Sequence, residues 1–393
     1  MRLIHLPLAL LLGATVAHLA GAEPAAAVPA ATAEETDRLI DAAQHWLLAQ
    51  QQDNGAFLPG TRFTLGITAL SVHSLCSPPL ALRGDDPRIA KAIAHIRTYR
   101  QADGGFYRPD EGLGGYGTSL TLMAFAAAGI DDPAAVKGAQ EYLFGIQNKD
   151  PQSVCVGGIG YGPEGPGQED LHNTATAIVA LRASGVPAAD PRLQQALRFV
   201  ESCQNLSHHQ RAPGGIEEAP RAARPWVSND GGAVYSPTES KAGGDWNPRA
   251  KAGEPQYRLH SYGSMTHALI ESYLALDVAA DDERVRAALG WIRGNYGFDA
   301  NPGMPDDTEN DGLFYFYTVA AKTFDLTAQQ PFATGDGRTA DWRADLLDAL
   351  RRRAQHTDGM VYWINPSPRW GEAIPHLVTA YSIQALKRLH RHL

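Results

Sequence analysis

The chain has 393 residues, 44% of them hydrophobic and 20% charged, with a formal net charge of -9 that falls in no acidic or basic block. This composition excludes an intrinsically disordered chain, and it removes the electrostatic case for nucleic-acid binding, which needs a basic face. The length suffices for one large hydrophobic core or two ordinary ones. Residues 1–22 combine Arg2, an apolar run from Leu8 to Leu19 and the small residues Ala20-Gly21-Ala22, the pattern of a secretory signal peptide. The run is too short for a good membrane span, and no Cys follows it to carry a lipid, so an exported protein, periplasmic or secreted, is expected. Ala- and Pro-rich residues 23–33 read as a flexible leader, and residues 34–393 as one domain.

Within that domain one unit recurs. Segments with apolar residues at helical spacing and charges between them fall at about 34–51, 87–101, 133–147, 190–204, 282–294 and 340–355. Each ends near a Gln, Asn or Gly turn, such as Gln101-Ala102-Asp103-Gly104-Gly105-Phe106 or Gln147-Asn148 before Gly157-Gly158. After each turn comes a helix rich in small apolar residues, beginning near Phe63, Tyr116, Leu171, Tyr262, Leu313 and Pro375. The stretch from Leu171 to Leu181 is apolar on nearly every face, which predicts a helix surrounded by neighbours. Six polar-faced outer helices and six apolar inner ones predict an all-α (α/α)6 toroid.

The joins divide into two kinds. Those from inner to outer helices are short, and Asp86-Pro87, Asp132-Pro133 and Asp190-Pro191 are each an N-cap followed by a first helical residue. Joins from outer to inner helices are long, aromatic and Gly-rich, so any site is expected at that end. The longest, residues 205–258, carries Trp226, Tyr235, Asp245 and Trp246 and is predicted to fold across the mouth as a lid. Cys155 and Cys203 follow outer helices of adjacent units, whereas Cys76 ends an inner helix at the opposite end. A Cys155–Cys203 disulfide with Cys76 free, or three buried thiols, are the two expectations.

The Gln-x-x-x-Gly-Gly/aromatic units resemble the repeats of the squalene-hopene cyclase and protein prenyltransferase β-subunit superfamily, over nearly all of the mature chain. Gly157-Gly158-Ile159-Gly160-Tyr161-Gly162, Asp170-Leu171-His172-Asn173-Thr174, Tyr262-Gly263-Ser264-Met265-Thr266 and Val378-Thr379-Ala380-Tyr381 look most like exported bacterial squalene-cyclase-like proteins. The resemblance implies a ligand at the wide mouth. The cyclases protonate an alkene with the middle Asp of Asp-x-Asp-Asp-Thr-Ala, but here the matching stretch reads Asp170-Leu171-His172-Asn173-Thr174-Ala175. A model imidazolium is a weaker acid than a model Asp by roughly 2.6 pK units, about 3.5 kcal/mol, which argues against that mechanism. The prenyltransferases bind zinc through Asp-x-Cys and a later His. Here Asp311 and His376 match, but Leu313 replaces the thiolate, and two ligands are too few for a catalytic zinc, so no metal and no cofactor are expected.

His260 and His267, seven apart, both face the lumen only if the helix already includes His260. Asp306-Asp307-Thr308-Glu309 reads as a solvated loop that leads to a cap. Leu313-Phe314-Tyr315-Phe316-Tyr317 and the rim aromatics predict an aromatic funnel suited to an apolar or polyene ligand. The candidate catalytic residues are therefore Asp170, His172, Tyr262, Asp311 and His376, with Asp170 orienting His172. Tyr116, Tyr161, Asn173, His260, Tyr315, Tyr317 and Trp370 are the candidate ligand contacts. The expected function is binding of an isoprenoid or other apolar small molecule, with terpenoid modification as its enzymatic form and peripheral membrane contact as a route of supply. The alternatives are a non-catalytic binding or scaffold module that uses Trp226 and Trp246, and a carbohydrate-active toroid that pairs Asp170 with Asp311 or Glu372.

Overall fold

The structure, a computed structural model, describes residues 30–162, 168–206, 228–246, 257–329 and 331–393. Residues 1–22, expected to be a signal peptide, most of the expected leader and Trp226 lie outside the described residues. The helices are α1 (Ala30–Ala49), α2 (Thr64–Cys76), α3 (Pro87–Arg97), α4 (Gly114–Ala128), α5 (Pro133–Gly145) and α6 (Leu171–Ala183), followed by α7 (Pro191–Ser202), α8 (Gly263–Ala275), α9 (Glu283–Gly294), α10 (Leu313–Thr327), α11 (Trp342–Arg353) and α12 (Pro375–His390). The first begins four residues before its expected start, because Ala and Thr at 30–33 continue a helix without strain. Short antiparallel hairpins, among them β1 (Gly244–Trp246) with β2 (Tyr257–Leu259), decorate the loops.

Even-numbered helices pack in a cycle: α2 on α4, then α6, α8, α10 and α12, and α12 back on α2. Odd-numbered helices lie outside, α3 against α2, α5 against α4, α7 against α6, α9 against α8, and α1 and α11 against α12. The (α/α)6 ring is thus closed, and inner helices such as α4 and α8 are buried along nearly their whole length.

Local chemistry sets the spacing of the repeats. The cap aspartates do as their sequence implies: Asp86, Asp190 and Asp282 each accept from the backbone N–H two residues on, at 2.9 Å, and pair with that same Arg side chain. Three turn glutamines then tie their own repeat to the next, whereas Gln101 donates to Tyr99 and Tyr107 within its own turn. Nε2 of Gln51, Gln147 and Gln204 donates to the turn carbonyl of Gly55, Gly157 or Gly231 and to the carbonyl of Arg88, Arg192 or Arg284 at the start of the following outer helix. The turn glycine is needed for the close approach this demands. Gly157 sits at φ +88, and a Cβ there would lie 2.1 Å from the Gln195 carbonyl oxygen.

A threonine on the second turn of an inner helix completes the unit. Thr68, Thr118, Thr174, Thr266 and Thr379 accept from the N–H of Phe57, Phe106, Ile159, Ala233 and Trp363, at 2.9 to 3.2 Å. Five of the six long joins are therefore pinned by a threonine to the inner helix they feed, and the join before α10 is held instead by Tyr317, which donates to the Phe298 carbonyl, so the joins gather at one end.

The expected Cys155–Cys203 disulfide is absent. Cys76, Cys155 and Cys203 are all buried free thiols. Burial pushes the Cys76 and Cys155 thiols up to about 11 and that of Cys203 higher, so they are inert, apolar core side chains. Among the described residues no helix is long and apolar enough to cross a membrane.

Candidate functional site

A cavity of about 790 Å³ opens where the six inner helices begin. Phe63 and Leu65 line it from α2, Tyr116 from α4, His172 from α6, Tyr262 and Met265 from α8, Tyr315 from α10 and Leu377 and Tyr381 from α12. Trp370, Glu372 and Ile374 enter from the loop before α12, Tyr161 and Tyr235 from the joins beside α6, and Arg62, Arg108 and Glu111 stand at the rim. The walls are tyrosine-rich: large apolar faces, each carrying one hydroxyl that demands a partner.

Four side chains make the floor. Tyr116 Oη and Tyr381 Oη are 3.1 Å apart, the His172 ring meets Tyr315 edge-on at 4.5 Å between centroids, and Tyr116 lies 5.6 Å from the other side of that ring. Burial lowers the His172 pKa to about 4, helped by the Lys322 charge, so the imidazole is neutral near pH 7. Burial also raises the Tyr116 hydroxyl to about 12. The floor therefore carries hydroxyls and one neutral imidazole, and no formal charge.

Asp170 does not orient His172. It caps α6, accepting from Asn173 N at 2.8 Å and Asn173 Nδ2 at 2.7 Å. With 1% exposure it stays behind the wall formed by Tyr161 and Tyr235. Burial raises its pKa to about 6, against the hydrogen bonds from Asn173 and Tyr235 that favour the ionised form. Asn173 is likewise structural, and its Oδ1 is buried with no hydrogen-bond partner.

Asp311 and His376 are not brought together. Asp311 is buried, 2.5 Å from Ser367 Oγ and 3.6 Å from Arg369, and so anchors the loop before α12. His376 turns away from the lumen onto Trp46 of α1, with ring centroids 5.4 Å apart. Position 376 faces outward because α12 needs an apolar flank against α1. Among the described residues no group of three or more His, Cys, Asp or Glu side chains is placed to hold a metal.

Two further ligand candidates also fall elsewhere. His260 ends the β1–β2 hairpin and bonds Asp245 at 3.0 Å, since α8 starts only at Gly263, while His267 is buried between Phe316 and Phe324. Tyr317 points to the outer layer, donating to the Phe298 carbonyl at 2.6 Å. Tyr116, Tyr161, Tyr262, Tyr315, Trp370 and His172 do line the funnel. The acidic run from Asp306 stays in the turns before α10, with Asp306 and Asp307 exposed.

Three funnel residues stand outside the leading sequence candidates: Tyr381 and Tyr235, and Glu372, which entered only through the carbohydrate-active alternative. Tyr381 follows Thr379 by two and so faces the lumen. Tyr235, among the described residues of the 205–258 join, lines the wall, held there because its carbonyl accepts from Leu171 N at 2.7 Å. Glu372, 1% exposed, caps α10 from another loop: Oε1 accepts from Tyr315 N at 2.8 Å, and Oε2 from Phe314 N at 3.2 Å and Asn365 Nδ2 at 2.6 Å. Burial outweighs these bonds and pushes its carboxyl up to about 7. The missing signal was the cap: α10 begins Gly312-Leu313, with no side chain of its own to take the N–H groups.

No protein-family model matches the chain, and no curated protein does. Solved structures do. The type II terpene cyclase MstE from Scytonema, in complex with merosterolic acid A (product), superposes with a TM-score of 0.54 at 13% identity, over 93% of this chain and 100% of that one. The complex of the same cyclase with geranylgeranyl dihydroxybenzoate (substrate) gives 0.52 at 14% identity, with the same coverage. An unsaturated glucuronyl hydrolase specific for heparin gives 0.54 at 12% identity, over 92% of this chain and 97% of that one. The chain is an α/α toroid, the fold that these structures share. At these identities the toroid's likeness is one of fold, and its chemistry has to be argued from its own side chains.

Proposed function

We propose that the toroid binds an apolar ligand of the isoprenoid class, inserted chain-first into the tyrosine-lined funnel. The observation that carries this reading is the funnel itself, about 790 Å³ walled by aromatic faces and floored by uncharged groups. The bound terpenoids of the Scytonema cyclase complexes support it, since the same fold holds such molecules there. Acid-initiated cyclisation finds no support. The carboxyls at or beside the funnel are all weakened by burial, Asp170 to about 6, Glu372 to about 7 and Glu111 above its ordinary value, whereas alkene protonation demands a stronger acid. Neutral His172 serves instead as an acceptor for a ligand hydroxyl, and terpenoid modification, where it occurs, starts from that group. Supply is from an exported location, with the mouth reaching ligand at a membrane surface.

The test is incubation of the purified protein with squalene and geranylgeranyl derivatives, followed by extraction, product analysis and tyrosine and tryptophan fluorescence titration. Saturable quenching supports the reading; unchanged fluorescence with every polyprene and no product defeats it. One observation favours a second, carbohydrate-active reading: Glu111 and Glu372 both line the funnel. It predicts turnover of a uronic-acid oligosaccharide that Glu111→Gln abolishes, while polyprene binding is absent in both forms.

A further inference from the structure

Below the funnel the lumen continues. Tyr116, His172, Tyr315 and Tyr381, the floor of the funnel, are also walls of a second chamber of about 30 Å³. Its other walls include Glu271 from α8, Lys322 from α10 and Gln384 from α12. Glu271 and Lys322 are 7% and 8% exposed and form an ion pair, Nζ to Oε1 3.0 Å. Gln384 is 6% exposed, and its Nε2 is buried with no hydrogen-bond partner.

A buried ion pair persists where further hydrogen bonds satisfy its remaining donors and lone pairs. A buried amide donor likewise requires an acceptor. Roughly 10–15 Å³ of such space admits one water, so this chamber has room for one or two. Gln384, Glu271, Lys322 and His172 all line this one chamber. The His172 ring is held by ring contacts to Tyr116 and Tyr315, and among the described residues nothing hydrogen-bonds its nitrogens.

We propose that the lower chamber is a water site that joins Gln384 and the Glu271–Lys322 pair to the underside of His172 and so selects the imidazole tautomer presented to the funnel. The water accepts from Gln384 Nε2 and from the lower N–H of His172, and it donates to the Glu271 carboxylate. The lower nitrogen then carries the hydrogen, and the nitrogen facing the funnel keeps its lone pair. Glu271 is a positioning residue that acts through this water: its carboxylate accepts the water's hydrogen bond, which leaves the water's lone pairs for Gln384 Nε2 and for the lower N–H of His172. The inference does not depend on what the funnel binds.

A crystal structure at a resolution that shows ordered water, together with ¹⁵N NMR of labelled histidine, tests it without any ligand. Expected are water density within hydrogen-bond distance of Gln384 Nε2 and His172, and a single dominant His172 tautomer at pH 7.5. Glu271→Gln combined with Lys322→Met removes both charges at nearly constant volume, and Gln384→Leu removes one water partner while leaving the pair intact. Both are expected to shift the His172 ¹⁵N signals toward a mixture of tautomers, the double variant at least threefold in tautomer ratio. Absence of water density, or an unchanged ratio in whichever variant retains its near-UV circular dichroism, overturns the proposal.

Discussion

The glutamine ties between repeats make a quantitative forecast, because the same residue type sits in three environments. In Gln204→Leu the shape of the side chain is nearly kept, but Nε2 no longer donates to the carbonyls of Gly231 and Arg284, both at 2.9 Å, and Oε1 no longer accepts from Tyr273 Oη at 2.8 Å. Arg284 O keeps its partner in the α9 ladder, so its loss is modest. Tyr273 Oη and Gly231 O are left buried, at roughly 1–3 kcal/mol each, and the sum is about 2–6 kcal/mol. Gln51 makes the homologous tie from a half-exposed position, where water replaces the amide, and Gln51→Leu costs only about 1 kcal/mol. Gln147 lies between: its Oε1 is buried without a partner, so leucine removes one burden as it breaks two bonds. Urea unfolding followed by far-UV circular dichroism at constant m-value orders the three variants as Gln204, then Gln147, then Gln51. Equal losses at positions 204 and 51 would refute the claim that burial sets the strength of the tie.

Other outcomes follow from the site and the core. Iodoacetamide leaves all three cysteines of the native protein unmodified for hours at pH 8 and labels three per chain in guanidinium; a mass shift of one label would reveal a disulfide. Because the folded pKa of Glu372 lies above its ordinary 4.5, at about 7, the folded chain holds a proton that the unfolded chain has released. Its contribution is therefore lost as pH rises between those values, by about 3 kcal/mol at most. Glu372→Gln flattens the stability-versus-pH curve in that window, and an unchanged slope counts against it. His172, whose folded pKa falls from 6.5 to about 4, has the opposite sign: its contribution is lost as pH falls through that range, and His172→Phe is correspondingly less acid-sensitive. Trp370 is 40% exposed at the mouth, so Trp370→Ala leaves the unfolding midpoint nearly unchanged while weakening polyprene binding about fivefold, roughly 1 kcal/mol. An unaltered dissociation constant would remove Trp370 from the funnel contacts.

The toroid was legible in the sequence because its determinants are local and repeated. Asp-Pro caps, turn glutamines, Gly-Gly bends and second-turn threonines each act within one unit and its neighbour, and their recurrence along six helix pairs specifies a ring without knowledge of any distant contact. Tyr116, His172, Tyr262 and Tyr315 were readable as lumen residues for the same reason, since each stands in the first turn, or at the cap, of an apolar inner helix. Side-chain direction was the property that only the tertiary structure decided. Asp170 caps its own helix, Asp311 holds Ser367 in the loop before α12, and Tyr317 and His376 turn to the outer layer, because one step around a helix exchanges lumen for interface. Glu372 caps a helix that begins some sixty residues earlier, and Glu271, Lys322 and Gln384 meet from three helices at the axis. Such meetings depend on ring closure, so no spacing along the chain encodes them.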